Sequence, residues 1–255
     1  MFKKLLYKIT SVFEFIGLIL MSFWRFFTGK AQVRKKDFVL VFYESGPASL
    51  GIVCLISLLV GLILAYIGSI QLQQFGATIF IADLVGLAML REMGAIMTGI
   101  IMAGRTGAAF AASIATMEAN EEIDALRTTG ISPIDFLVLP RVLAFIVCFP
   151  LLCIASDLVG IIGGALVGVL SFDISLTRYW EQTILRVDLV DFFIGLVKSV
   201  FFGIIVSVSA CYYGINSERT AEAVGKATTS SVVTSIVLII ICDAIFAVLT
   251  SIIGI

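Results

Sequence analysis

Histidine is absent from this sequence of 255 residues. Its absence excludes catalytic triads built on histidine, histidine-ligated metal sites and HExxH metalloproteases. The five cysteines show no CxxC spacing, so a zinc or dithiol redox site is not expected. No GxxxxGK[ST] loop is present, and any ATP-driven work must therefore come from another subunit. We expect no catalytic residue, no bound metal and no cofactor in this chain.

Charged residues are also scarce. Asp, Glu, Lys and Arg make up 14% of the chain and the net charge is −1, which gives no indication of a nucleic-acid partner. Hydrophobic residues make up 60% of the sequence, whereas soluble domains contain about 45–50%. The apolar runs are long enough for membrane helices and too long for barrel strands. The composition therefore predicts an all-α membrane protein.

Five apolar stretches are predicted to cross the membrane. They run over about 48–70, 93–117, 139–170, 189–213 and 231–254. Arg91 and Glu92 divide the second apolar block, so we interpret 77–90 as an outer-side helix or re-entrant segment. Pro47 is suited to open the first span, because it has no N–H to leave unpaired.

Residues 1–28 have the pattern of a helix that lies in the membrane interface. Apolar residues recur at three- and four-residue spacing, and lysines supply cationic charge. Ten residues separate Glu14 from Arg25, which is about 15 Å of helix and too short to cross a bilayer. A cleaved signal peptide is the alternative, but Glu14 interrupts the apolar region and no small-x-small cleavage site follows.

The distribution of Lys and Arg predicts the orientation. Eight of them lie in residues 1–47, and none lies between 48 and 90. Because cytoplasmic loops carry an excess of Lys and Arg, the N-terminus is expected in the cytoplasm. Five spans then leave the C-terminus outside, with the loops 118–138 and 214–230 in the cytoplasm.

The loop 118–138 contains an acidic segment with the signals of a short helix. Asn120 is suited to cap its start, and Gly130 followed by Pro133 is suited to end it. Acidity is unusual in a cytoplasmic loop. The segment is either a solvated connecting helix or a helix that docks on a basic cytosolic partner. The residues offered to such a partner are Glu118, Glu121, Glu122, Ile123, Asp124 and Leu126.

Charged residues inside the spans are the second unusual feature. A charge at the bilayer centre costs roughly 2.5–3.5 kcal/mol on insertion scales, so such residues usually face a partner or a cavity. The charged residues in or beside the spans are Arg91, Glu92, Arg105, Asp157, Lys198 and Asp243. Internal pairs are one interpretation, with Lys198–Asp243 and Arg91–Glu92 as the first candidates. A headgroup site or a gating network is the other.

Two apolar patterns accompany these charges. Leu64, Leu72 and Phe75 fall at helical spacing at the outer end of the first span, with Tyr66 suited to the interface, and form a candidate lipid-contacting wall. Small residues recur at every fourth position in the second and third spans, which predicts close helix packing and allows a subunit interface. They are Gly99, Ala103, Gly107, Ala111 and Ala115, then Gly160, Gly164 and Gly168.

Several runs of residues resemble a known family. The run LREMGAIMTG at 90–99, continued by AGRTGAAF at 103–110, is similar to the signature of MlaE-type ABC permeases. Further similar motifs lie at 121–126, 140–141, 197–202 and 224–229. The resemblance extends from about residue 35 to the end of the chain. One departure is Ala95, where the family often has proline, and this affects only the expected local bend.

The resemblance implies a single permease domain over 1–255, which is not itself an enzyme. Such permeases are homodimers in an ABC complex that carries phospholipids between the inner membrane and a periplasmic MCE-domain hexamer, and so maintains outer-membrane lipid asymmetry. A cytosolic ATPase dimer binds the ATP, often with a small STAS-domain protein. The implied location is the inner membrane of a Gram-negative bacterium, with a cytoplasmic N-terminus and a periplasmic C-terminus.

The resemblance also implies roles for particular residues. Residues 118–126 correspond to the helix that couples to the ATPase. The charged cavity residues correspond to Arg91, Glu92, Lys198 and Asp243, and the apolar lipid pocket to the wall around Leu64, Leu72 and Phe75. The alternative function is a proton-coupled secondary transporter with Asp157, Lys198 and Asp243 as a relay, although no internal repeat is evident.

Overall fold

The computed structural model describes residues 2–29 and 34–254. All regular structure in these residues is helical, without a strand, which confirms the all-α prediction. Met1 and Ile255, the ends of the predicted domain, lie outside the described residues. The α-helices are α1 Phe2–Phe27, α2 Lys35–Ser45, α3 Pro47–Gln73, α4 Ile81–Ala88, α5 Gly94–Met102, α6 Ala108–Ala119, α7 Glu122–Thr128, α8 Leu139–Phe172, α9 Leu176–Arg186, α10 Leu189–Ile215 and α11 Ala221–Ile253.

Within residues 2–29 and 34–254, five helical segments are long and apolar enough to cross a membrane. They are Thr10–Phe27, Lys36–Gln73, Ile134–Phe172, Leu189–Ile215 and Ala221–Ile253. The second, third and fourth of these segments contain the predicted first, third and fourth spans, and the last covers the predicted fifth span as far as Ile253. The helix α3 begins at Pro47 as expected. The segment Thr10–Phe27 meets the same criterion of length and composition, so its placement at the interface stays a prediction.

The predicted second span is helical but not one regular helix. Residues 81–119 form a continuous helical stretch in which two π turns, Met89–Met93 and Ala103–Gly107, separate α4, α5 and α6. A π turn holds one residue more than an α-helical turn, and such turns are frequent at functional sites. The first of them contains both Arg91 and Glu92.

The chain forms two compact units. The first unit comprises Met1–Ser45, Met102–Ile146 and Gly203–Leu238, and the second comprises Gly46–Ile101, Val147–Phe202 and Ile239–Ile255. Each has its own apolar core among the described residues.

In the first unit, α1 packs on the core through an apolar stripe. Phe15 and Ile19 are buried in the cluster that also contains Val138 and Cys211. The ring of Phe15 meets that of Tyr212 edge-on, with centroids 5.5 Å apart. The observed contacts show one face of α1 packed against protein, as the three- and four-residue spacing predicts.

In the second unit, small residues bring helices to backbone distance. A Cβ added to Gly61 of α3 would overlap the carbonyl group of Gly160 in α8, and one added to Gly163 would overlap the carbonyl oxygen of Leu58. The hydroxyls of Ser57 and Ser156 form a hydrogen bond of 2.7 Å between the same helices. This confirms the predicted close packing around the glycine stripe of the third span.

Candidate functional site

The second unit contains an ion-pair network centred on Lys198. This α10 residue is fully buried, and its ammonium group donates to Glu92 in the first π turn and to Asp243 on α11. The Nζ atom lies 2.9 Å from Oδ1 of Asp243. The two carboxylate side chains are 29% and 19% exposed, so the cation is enclosed while its partners retain some access.

Close packing of α10 against the backbone of the first π turn positions Lys198 beside Glu92. A Cβ at Gly195, one turn before Lys198 on α10, would overlap the carbonyl oxygen of Leu90. The absence of a side chain there lets α10 approach the π turn that carries Glu92. With one cation and two carboxylates, the network has a net charge of −1 when all three groups are ionised.

Of the two ion pairs expected from the sequence, one is present in the structure and the other is not. The structure contains the Lys198–Asp243 pair. Arg91 was expected to pair with Glu92, but its guanidinium lies 3.2 Å from the carboxylate of Asp191, and Glu92 pairs with Lys198. Sequence reasoning missed Asp191 because an acid in the first turn of a helix is an ordinary dipole partner.

Asp157, the third acid of the suggested proton relay, has other contacts. Its Oδ2 accepts a long hydrogen bond from the Cys153 thiol at 3.7 Å, and its Oδ1 lies where a Cβ of Gly94 would be. Among the described residues this buried Oδ1 has no hydrogen-bond partner. The observed contacts of Asp157 therefore give no support to a relay through Lys198.

The predicted apolar wall is divided in the structure. Leu64 and Leu72 pack against the core of the second unit, whereas Tyr66 and Phe75 are exposed. The helix α3 ends at Gln73, so Phe75 lies in the turn beyond it and not at a helical position. Lipid contact by all four side chains stays a prediction.

The acidic segment of the first unit forms α7, with a different start from the one predicted. Asn120 was expected to cap the helix, but it ends α6, and Glu121 holds the cap position with a positive φ of 61°. This left-handed residue reverses the chain between the two helices. The predicted end is confirmed, since Gly130 has a φ of 76° and the Ile131 N–H donates to the Leu126 carbonyl.

One arginine from the loop before α11 engages the acids of this segment. Arg219 pairs with Glu118 at 3.4 Å, with Glu121 at 3.2 Å, and with Asp124. The hydrogen bond to Asp124 and the nearby negative charges hold the pKa of Arg219 above its ordinary value, so the side chain stays cationic. We call these four residues the Arg219 cluster. Arg219 is the single cation in the connection 216–220, and this was the signal that sequence reasoning did not use.

This cluster changes which residues α7 can offer to a partner. Ile123 was expected to be available, but it is fully buried in the core of the first unit. Leu126 is partly buried, and three of the four predicted carboxylates face Arg219. Glu122 is the predicted acid that remains exposed outside the Arg219 cluster, with a hydrogen bond of 3.3 Å from the Asn120 amide.

Comparison with known proteins places the chain in a family. Residues 38–249 match the family described as Permease MlaE. The chain belongs to the MlaE permease family. It is 41% identical over 198 residues to a probable ABC transporter permease protein of Rickettsia typhi, which covers 78% of this chain and 76% of the relative. A probable ABC transporter permease protein of Synechocystis sp. is 35% identical over 198 residues, or 78% and 75% of the two chains.

A plant relative is also similar. The Arabidopsis thaliana protein named TRIGALACTOSYLDIACYLGLYCEROL 1, chloroplastic, is 33% identical over 218 residues, which cover 86% of this chain and 62% of that protein. The family resemblance inferred from the sequence motifs is thus confirmed. This MlaE permease is a multi-pass membrane protein and an ABC transporter permease.

Proposed function

We propose that this MlaE permease moves phospholipids as the membrane subunit of an ABC transporter. The observation that carries the proposal is the Glu92–Lys198–Asp243 network around the buried Lys198. Lys198 and Asp243 lie on helices long and apolar enough to cross a membrane. Charges at such depth are usually functional. The name of the plant relative, which is that of a galactolipid, supports a lipid substrate.

The chemistry of the network suits a zwitterionic or anionic headgroup. Lys198 can exchange a carboxylate for a lipid phosphate, since both are oxygen anions that accept from an ammonium group. Partly exposed Glu92 and Asp243 would receive a lipid amine or take a proton when the lysine leaves. The acyl chains would contact apolar side chains of the second unit, with Leu64, Tyr66, Leu72 and Phe75 as the proposed set.

The partners belong to the proposal as well. We place the permease as a homodimer in the inner membrane of a Gram-negative bacterium, as a single domain with its N-terminus cytoplasmic and its C-terminus periplasmic. A cytosolic ATPase dimer, with or without a STAS-domain protein, would dock on α7, and a periplasmic MCE-domain hexamer would exchange lipid with the permease. The permease itself would need no cofactor and hydrolyse no ATP.

The Arg219 cluster gives α7 a mechanical connection. One residue, Thr220, separates Arg219 from the start of α11, and Arg219 holds carboxylates on both sides of the α6–α7 junction. A movement of α7 driven by the ATPase would therefore act on the start of α11, the helix that carries Asp243.

The test is lipid transfer by the reconstituted complex. We would measure ATP-dependent movement of a fluorescent phospholipid in proteoliposomes that contain the permease and its co-expressed ATPase. Lys198→Met keeps the chain length and removes the charge, and we expect at least a tenfold loss, which corresponds to about 1.4 kcal/mol in the rate-limiting barrier. Lys36→Met, at an exposed lysine of α2, is the matched control with full transfer. Equal transfer by both variants would contradict the proposed function.

A further inference from the structure

The first unit contains a cavity that the proposed transport does not use. Its volume is about 520 Å³. One wall is α1, and the others come from α8, α10 and α11. Side chains that define it include Ile16 and Phe23 of α1, Ile146 of α8, Val208 of α10 and Leu238 of α11.

The lining favours an apolar occupant. Four lining residues carry hydroxyls, and three of these hydroxyls already have partners. Tyr213 and Thr234 form a hydrogen bond of 2.9 Å, and the Tyr212 hydroxyl donates to Ser11 at 3.3 Å. A buried water usually needs two to four polar partners, at about 30 Å³ of volume each. The cavity has room for many waters but lacks the groups to hold them.

The helices around the cavity indicate that the occupant comes from the membrane. The lining helices α1, α8, α10 and α11 are among the segments long and apolar enough to cross a membrane. Leu20 and Leu238 line the cavity and are 64% and 40% exposed, so one side of it is open. An opening between such helices faces hydrocarbon, and the molecules present there are lipid chains.

The positive charge near the start of α1 is complementary to the anionic headgroup of a phospholipid. In the sequence, Lys3, Lys4 and Lys8 precede the part of this helix that lines the cavity, and Glu14 is the single carboxylate between Phe2 and Phe27. Cationic residues on a helix at the membrane surface attract anionic headgroups. A phospholipid whose chain enters the cavity would bring its phosphate to the helix that forms the wall.

We propose that this cavity binds one acyl chain of a membrane phospholipid, which stays with the permease as a structural lipid and is not the cargo. The volume lies within the range of about 300–1,000 Å³ that is usual for small-molecule sites. The bound chain would stabilise the permease through packing, because the side chains on both walls of the cleft between α1 and α10 would gain dispersion contacts with it. The lipid would hold α1 against α10 without ATP, so this proposal stands or falls independently of transport.

The test uses the full chain in nanodiscs of phosphatidylethanolamine and phosphatidylglycerol, without ATPase. A phosphatidylglycerol with a photoreactive diazirine in its acyl tail is crosslinked to the protein, and the labelled peptides are mapped by mass spectrometry. We expect labelling of peptides that contain Ile16, Val208 and Leu238. Val208→Trp, which places an indole ring in the cavity and narrows it, should lower this labelling at least fivefold.

The matched control is Val237→Trp, because Val237 lies on α11 beside Leu238, is 49% exposed and does not line the cavity. This variant should label like the wild type at Ile16 and Val208. If Val208→Trp fails to fold, the positions labelled in the wild-type protein test the proposal without this variant. Labelling spread evenly over all exposed apolar residues, or labelling unchanged in a folded Val208→Trp protein, would overturn the proposal.

Discussion

Lys198 and Arg219 both hold several carboxylates, but they do so in opposite surroundings. Lys198 is fully buried in the second unit, whereas the Arg219 side chain is 46% exposed in the first. A buried ion loses its hydration and depends on its partners, while an exposed pair competes with water and salt. The comparison therefore separates a fixed network, which defines one arrangement of helices, from an exchangeable one, whose carboxylates can pass to another cation.

Ion pairs that can exchange one cation for another are suited to a helix that docks on a partner. A partner that presents Arg or Lys to α7 can replace Arg219 at Glu121 and Asp124, whose side chains are in contact with water. The buried Glu118 would keep its link to Arg219. The same replacement at Lys198 would require an ion, a proton or a lipid headgroup to enter the second unit. The two regions thus match the two events of the proposed cycle, which are partner docking and substrate handling.

The largest effect is expected at the buried network. Lys198→Met leaves two carboxylates without their cation, and removal of one member of a buried ion pair costs about 3–5 kcal/mol. We predict a loss of this size in denaturant unfolding in detergent micelles. The triple variant Glu92→Gln/Lys198→Met/Asp243→Asn should recover most of it, because no unpaired charge remains. A triple variant as unstable as Lys198→Met would mean that lost packing dominates over charge.

A steric change at the same network should have the next largest effect. Gly195→Ala adds a Cβ where the Leu90 carbonyl oxygen lies, and backbone atoms cannot move aside as a flexible side chain can. Overpacking of this kind costs about 1–3 kcal/mol, measured as a shift in the unfolding midpoint. Gly51→Ala, inside α3 with open space around the added atom, is the control and should be neutral or slightly stabilising. Equal effects of the two variants would refute the close approach of α10 to the π turn.

The Arg219 cluster should respond more weakly. Arg219→Gln should leave the overall unfolding midpoint nearly unchanged but raise hydrogen exchange of the α7 amides severalfold, because the helix loses its link to the loop before α11. High salt should reduce the difference between variant and wild type. Arg127→Gln removes an equal charge from α7 together with an i,i+3 contact with Asp124, and is the control. Faster exchange in Arg127→Gln than in Arg219→Gln would argue against the cluster.

The smallest effect on the permease itself is expected at Glu122. Glu122→Lys reverses an exposed charge outside the Arg219 cluster and should not alter folding. If α7 docks on a basic surface, co-purification of the ATPase should fall about threefold, which is the scale of one exposed ion pair. Glu181→Lys, an exposed acid of α9, provides the comparison. An equal loss in both variants would indicate a general charge effect.

Much of the fold follows from the sequence, for physical reasons that particular residues show. The apolar runs and Pro47 predict α3, α8, α10 and α11, since a bilayer allows only helices and closed barrels and these runs are too long for barrel strands. Gly130 predicts the end of α7 because few other residues adopt a positive φ. The predicted start of α7 was wrong. Whether Asn120 or Glu121 takes the cap position depends on how the chain turns after α6, and local helix propensity does not contain that information.

The candidate sites were less predictable. The sequence indicates which charges lie in the spans, but it does not indicate their partners. Arg91 reaches Asp191, one hundred residues away, and Arg219 reaches back to Glu118 over a similar separation. Such contacts depend on how helices pack, and a glycine such as Gly195 reveals its role only when the neighbouring carbonyl group is seen. The π turn at Met89–Met93 also has no simple sequence signature.

The most direct measurement of the central claim is ATP-dependent phospholipid transfer by the triple variant Glu92→Gln/Lys198→Met/Asp243→Asn, reconstituted with the co-expressed ATPase. If these charges handle the lipid, the variant folds, binds the ATPase and transfers lipid at less than about a tenth of the wild-type rate. Transfer at the wild-type rate by this uncharged but folded permease would show that the network only supports the fold, and would contradict the account.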